Sequence, residues 1–145
     1  MLCEKKICLV HSVRYDYFKF PGGGIHANES REEALSREVQ EETGLIIKRD
    51  SIREFGYVHR VQKDDENEKG IFLQDSYYYF AEVDSHRASP RLDAYEKEEG
   101  FTLKLVDPLE AIPINLAHDH GKADPVMIER DTMVLRKLIE GHCFE

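Results

Sequence analysis

The chain has 145 residues, with 29 acidic and 20 basic side chains and a net charge of −9. That length suits one domain, residues 1–145, with a proper core, and an acidic balance without a basic stripe argues against duplex nucleic acid as a partner. No apolar run approaches a membrane span, and the opening MLCEKKICLV is too short and wrongly flanked for a signal peptide. Cys3, Cys8 and Cys143 are odd in number and have no metal or redox spacing, so reduced thiols in a cytoplasmic protein are expected.

In chain order, residues 6–12 (KICLVHS) read as a buried strand and 15–20 as a second short extended piece. Pro21-Gly22-Gly23-Gly24 is a turn whose glycines let the backbone approach a phosphate or metal; the plainer alternative is a tight turn and nothing more. Ser30 with Glu33 forms an S-x-x-E capping pattern, so a helix starts there. Ala34, Leu35 and Val39 form its apolar stripe, and Gly44 ends it. A short strand at 45–48 and a longer one at 51–62 follow, then a charged hairpin loop at 63–70 and a strand at 71–83. Residues 84–100 read as polar and irregular, ending in an acidic run at 95–100. A strand at 101–106 and a helical turn at 108–112 come next. Asp124 and Pro125 open a last helix, with Val126, Ile128, Met133, Val134, Leu138 and Ile139 as its apolar side. Strands interleaved with two main helices suggest an α/β/α sandwich with a mixed β-sheet.

The chemistry concentrates at REVQEETG. Glu38 and Glu42 are four residues apart and share a helix face, with Glu41 beside them. Like charges at that spacing destabilise a bare helix, so a neutralising cation is expected, and hard oxygen ligands select Mg²⁺ or Mn²⁺. A solvated acidic face is the bland alternative. The framing decides between them. The segment 23–45 resembles the Nudix box, G-x5-E-x7-R-E-U-x-E-E-x-G-U with U apolar, at Gly23, Glu29, Arg37, Glu38, Val39, Glu41, Glu42, Gly44 and Leu45. The resemblance implies a Nudix-type sandwich with a box loop-helix-loop and a C-terminal helix. It also implies Mg²⁺-dependent hydrolysis of a nucleoside diphosphate linked to a moiety X, giving nucleoside monophosphate and phospho-X. By the same resemblance Glu38, Glu41 and Glu42 are the metal ligands and Arg37 pairs with Glu29 or an adjacent glutamate. The proton acceptor is one of these glutamates or a later acid among Glu96, Glu98 and Glu99, with Glu98 preferred.

Other features weigh less. Relatives carry a strand ahead of residues 6–12, where this chain has only Met1-Leu2-Cys3 before Glu4. Either the start lies upstream, or the sheet edge is covered, with a homodimer as one way to cover it. His26 and Asn28 stand where many relatives have an acidic residue and a glycine; Asn28 tolerates a left-handed backbone, and His26 reads as a loop residue facing water. His118-Asp119-His120 is an incomplete metal set and reads as a polar loop. Arg14, Arg53 and Arg60 are candidate phosphate contacts, each more often a surface residue. Tyr77, Tyr78, Tyr79 and Phe80 alternate along a strand, where core packing outweighs base stacking. Substrate-binding residues are otherwise unassigned, and no subfamily signature is present, including the proline downstream of the box that marks many ADP-ribose hydrolases. Two other classes share the resemblance: a non-catalytic nucleotide sensor, which commonly loses box carboxylates, and an isoprenoid diphosphate isomerase, whose cysteine has no matching context here.

Overall fold

A computed structural model describes residues 6–63, 71–117 and 119–141. Strand β1 (Ile7–Ser12) is the centre of a three-stranded sheet, between β2 (Tyr17–Lys19) and β7 (Phe101–Val106), both antiparallel to it. Val10 lies opposite Lys19 on one side and Leu103 on the other. Successive side chains of a strand point to opposite faces. Leu9 and Val10 are both fully buried, so this strand is covered on both faces, as its unbroken apolar run requires.

The coverings are helical. On one face Ile7, Leu9, Phe18 and Val106 pack with Ala111, Ile112 and Leu135 from α3 (Pro108–Leu116) and α4 (Pro125–Glu140). On the other, Cys8 and Leu103 pack against Val39 of α1 (Arg31–Thr43) and Leu45 and Ile47 of β3 (Leu45–Ile47). The chain is therefore an α/β sandwich with helices on both sides of β1. A short 3₁₀ turn, Arg49–Ser51, leads into β4 (Arg53–Lys63), which pairs with β5 (Ile71–Phe80), while β3 pairs with β6 (Val83–Arg87). All strand pairings among the described residues are antiparallel, in three small sheets.

Capping chemistry places the helices. Ser30 accepts from the Glu33 amide at 3.1 Å and Gly44 closes α1 at φ 79°. At Gly44 a Cβ would meet the Ala88 carbonyl oxygen at 2.3 Å, so only glycine fits there. Asn28 takes φ 66°, the left-handed conformation expected of it.

Two segments depart from the sequence reading. Residues 84–100 hold β6 and a six-residue helix, α2 (Ala94–Glu99), in place of an irregular stretch. Asp93 and Glu96 form a reciprocal capping box, and Gly100 takes φ 71° as its C-cap. The helical turn at 108–112 extends to Leu116 through Pro113. Asn115 explains the extension: it accepts from the Phe18 amide at 2.7 Å and donates to the Phe18 carbonyl at 2.9 Å, anchoring the last turn to β2. Met1–Cys3 and the charged loop beyond Lys63 lie outside the described residues.

Candidate active site

The loop before α1 and the outer face of α1 are tied together by Arg37. Its Nε and Nη2 donate to the two oxygens of Glu29 at 2.7 and 3.0 Å, and Nη2 also donates to the Gly24 carbonyl at 2.8 Å. Nη1 donates to Glu38 at 2.7 Å and, more weakly, to Glu41 at 3.4 Å. One guanidinium therefore fixes the loop and gathers two of the expected carboxylates, using a planar fork that lysine lacks. Arg37 lowers the Glu29 pKa to about 2, helped by the His26 amide, while the Glu29 hydrogen bonds raise that of Arg37 further. The His26 side chain itself is exposed. A Cβ at Gly23 would lie 2.6 Å from the Glu38 carboxyl, so a larger residue there would push that side chain aside.

Glu42 goes elsewhere. It is almost fully buried and accepts from Lys19 Nζ at 2.8 Å and from the Gly22 amide at 2.7 Å. Burial raises its pKa, with Lys19 opposing the rise. The box carboxylates are thus shared between two protein cations, Arg37 for Glu38 and Glu41, and Lys19 for Glu42. Carboxylate oxygens suit a hard divalent cation in kind. Among the described residues, however, no three His, Cys, Asp or Glu side chains converge as a ready-made metal site.

The later acids separate by position. Glu98, the residue preferred from sequence, is exposed and ion-paired with Arg14 at the surface. Glu99 accepts from Ser12 Oγ at 2.9 Å and the Tyr17 hydroxyl at 2.8 Å, and burial together with that carboxylate raises the Tyr17 pKa. Glu96 is buried, and its pKa is raised to about 7, first by burial and then by the charges of Glu42 and Asp93, against the Asp93 amide. The sequence reading took it for a loop residue, although the Asp93-x-x-Glu96 pattern signals a helix start.

A cavity of about 900 Å³ opens beside the glycine loop. Its walls include Gly22, Gly23, Gly24 and Lys19 together with Arg130 and Asp131 of α4. Asp131 is a buried hub that the sequence reading missed. It accepts from the Phe20 amide at 3.0 Å, the Tyr78 hydroxyl at 2.6 Å and Arg130 Nε at 3.0 Å, while Arg130 also donates to Ser76 Oγ at 3.1 Å. A charged residue on the apolar side of α4, between Ile128 and Leu135, was the available signal. Tyr78 and Phe80 pack edge-on against Phe20 and Phe55, as core use of the aromatic run requires.

Among the remaining candidates, Arg53 lies over the Phe80 ring, and of Arg60 only the main chain is described. His118, Cys3 and Cys143 fall outside the described residues. His120 points both ring nitrogens at main-chain carbonyls, of Tyr15 and Asn115, at 3.0 Å, which leaves neither for a metal. Asp119 accepts from the Gly121 amide as part of the same turn.

Comparison with known proteins adds family and relatives. The model of the NUDIX domain matches residues 1–129. An RNA pyrophosphohydrolase of Hamiltonella defensa subsp. Acyrthosiphon pisum (strain 5AT) is 47% identical over 47 residues, which is 31% of this chain and 29% of that protein. An RNA pyrophosphohydrolase of Xylella fastidiosa (strain 9a5c) is 53% identical over 34 residues, 23% of this chain and 18% of that protein. The matches thus span less than a third of these relatives' length. Among solved structures, the MutT protein from Bacillus halodurans is 20% identical, covering 76% of this chain and 65% of that one with a TM-score of 0.48. The E. coli ORF135 protein is 22% identical, covering 92% and 84%, with a TM-score of 0.42.

Proposed function

The chain belongs to the NUDIX domain family, and from that membership we propose that it is a Mg²⁺-dependent pyrophosphohydrolase, with Mn²⁺ as a substitute metal. Its substrate is a nucleoside diphosphate linked to a moiety X, cleaved to nucleoside monophosphate and phospho-X. The observation that carries this reading is the clasp of Arg37 on Glu29, Gly24, Glu38 and Glu41, which holds two carboxylates against the glycine loop that lines the cavity.

Glu38 and Glu41 would hold the cation, with Glu42 joining them by exchanging Lys19. When bound, the cation screens the diphosphate oxygens and acidifies water. Arg37 keeps the two glutamates at the loop and so sets the site's geometry. Glu41 is the most solvent-open of the three, with 40% of its side chain exposed, and is best placed to accept a proton from water. Glu96 takes the part expected of Glu98: it senses the charge of Glu42, and its pKa near neutrality suits proton exchange. The glycine loop leaves room for phosphate oxygens close to the main chain.

The name shared by the two relatives supports cleavage of a pyrophosphate bond as the reaction class. The substrate is a nucleotide-type small molecule. Among the described residues no helix is long and apolar enough to cross a membrane, and the proposed location is cytoplasmic. A panel of nucleoside diphosphate derivatives and triphosphates with millimolar Mg²⁺, read as phosphate released after a coupling phosphatase, tests the reading. Turnover of one class, abolished by EDTA, supports it. Silence across the panel with nucleotide binding still measurable by calorimetry would instead make the protein a sensor.

A further inference from the structure

Arg31 is the first residue of α1, one step past the Ser30 cap, and its guanidinium carbon lies 4.1 Å from the centroid of the Tyr77 ring. Tyr77 is backed in turn by Tyr57, at 5.6 Å between centroids and 30° between planes. Arg31 makes no ion pair with any carboxylate among the described residues, although the chain carries a net charge of −9. Two residues along the same face of β5, the Tyr79 hydroxyl is buried and has no hydrogen-bond partner among the described residues. Arg31, Tyr77 and Tyr79 all line the cavity that also meets Gly23 and Gly24.

A guanidinium stacked on a ring uses only one of its faces. Arg31 is exposed at the protein surface, where a second planar group can reach it. Planar guanidinium groups stack nucleobases, whereas a lysine ammonium cannot. A buried hydroxyl without a partner is costly unless something fills the role, and the polar edge of a base is a group that can.

We propose that Arg31 is a specificity-determining residue of this cavity: its outer plane stacks the base of a nucleotide ligand, and the Tyr79 hydroxyl hydrogen-bonds the polar edge of that base. The Tyr57–Tyr77 pair holds the guanidinium in place for this. The nature of the ligand rests on the pyrophosphohydrolase reading above, while the stacking itself is a matter of binding alone.

The test separates base from phosphate. Calorimetry compares ATP, GTP, CTP, UTP and inorganic tripolyphosphate on the wild-type protein, Arg31→Ala, Arg31→Lys and Tyr79→Phe, with kcat and KM on the best-turned-over nucleotide. Arg31→Ala should weaken nucleotide binding and raise KM by roughly tenfold, the scale of one lost stacking contact, and leave tripolyphosphate binding unchanged. Arg31→Lys should lose as much, because charge without a plane does not stack. Tyr79→Phe should change the ranking of the four bases and nothing else. An equal loss for nucleotide and tripolyphosphate would make Arg31 a phosphate contact and overturn the proposal, as would no loss for either. Nucleotides that bind and respond to Arg31→Ala, with no member of the panel of diphosphate derivatives and triphosphates cleaved, would retire the hydrolase reading and leave this one standing. No binding of any nucleotide would end both.

Discussion

Lys19 Nζ lies 2.8 Å from Glu42 Oε2, with the two side chains only 11% and 1% exposed. The pair joins the last residue of β2 to the last turn of α1, and Lys19 opposes the rise that burial gives the Glu42 pKa. Truncating one partner of a buried pair leaves an uncompensated charge, which costs about 3–5 kcal/mol. Lys19→Met should therefore lower the unfolding free energy, read by urea denaturation in EDTA, by an amount on that scale. If Glu42 can also serve a divalent cation, Mg²⁺ should restore more stability to Lys19→Met than it adds to the wild type. Equal Mg²⁺ shifts in the two proteins would mean that Glu42 is a structural carboxylate only.

Glu41→Gln separates chemistry from binding. Its side chain is partly exposed and holds only the weakest of the Arg37 contacts, so the fold should be unaffected. Hydrolysis should fall by at least ~10²-fold, the scale of a lost acid–base or metal group. Turnover within a factor of a few of the wild type would remove Glu41 from the machinery.

Glu96 gives a pH signature with a definite sign. Its pKa in the folded protein is about 7, against 4.5 for an ordinary glutamate, so folding favours the protonated form. Its contribution to stability is full below the unfolded value and is lost as pH rises through about 7. Gln at this position still accepts the Asp93 amide hydrogen bond of the capping box. In metal-free buffer, Glu96→Gln should gain in Tm relative to the wild type as pH goes from about 5 to about 8. A Tm difference that does not change with pH would contradict the burial assigned to this carboxyl.

Asp131 takes three donors with two oxygens. Asn offers a single acceptor oxygen and turns its amide hydrogens toward groups that also donate. Asp131→Asn should destabilise the protein by about 1–3 kcal/mol for each donor left unpaired. Chemical denaturation reads the loss. A change near zero would show that the hub is not a structural tie between β2, β5 and α4.

The box helix was legible in the sequence because local chemistry decides it: the Ser30 cap, the apolar stripe through Ala34 and Val39, and Gly44 act within one element. The Arg37 pairing was expected from the resemblance to the box, which offered Glu29 or an adjacent glutamate, and Arg37 in fact bonds Glu29, Glu38 and Glu41 together. Segment 84–100 was misread because its helix is only six residues long and β6 exposes polar side chains, so neither shows a period. The capping pattern at Asp93 and Glu96 was nonetheless there to see. The division of the carboxylates between Arg37 and Lys19 was not readable, since Lys19 meets Glu42 only through the packing of β2 against α1. Likewise, that Glu96 is buried and Glu98 exposed depends on which side of a short helix faces the core. Tyr78, Arg130 and Asp131 come together from distant parts of the chain, and only the charge on the apolar side of α4 hinted at it.

The most direct measurement is a calorimetric titration of Mn²⁺ and Mg²⁺ into the wild-type protein and into Glu38→Gln/Glu41→Gln, without nucleotide. Binding to the wild type that the double variant loses, with the fold intact by circular dichroism, is the expected result. Equal binding by both proteins, or none by the wild type even with nucleotide added, would contradict the assignment of these carboxylates to a catalytic cation.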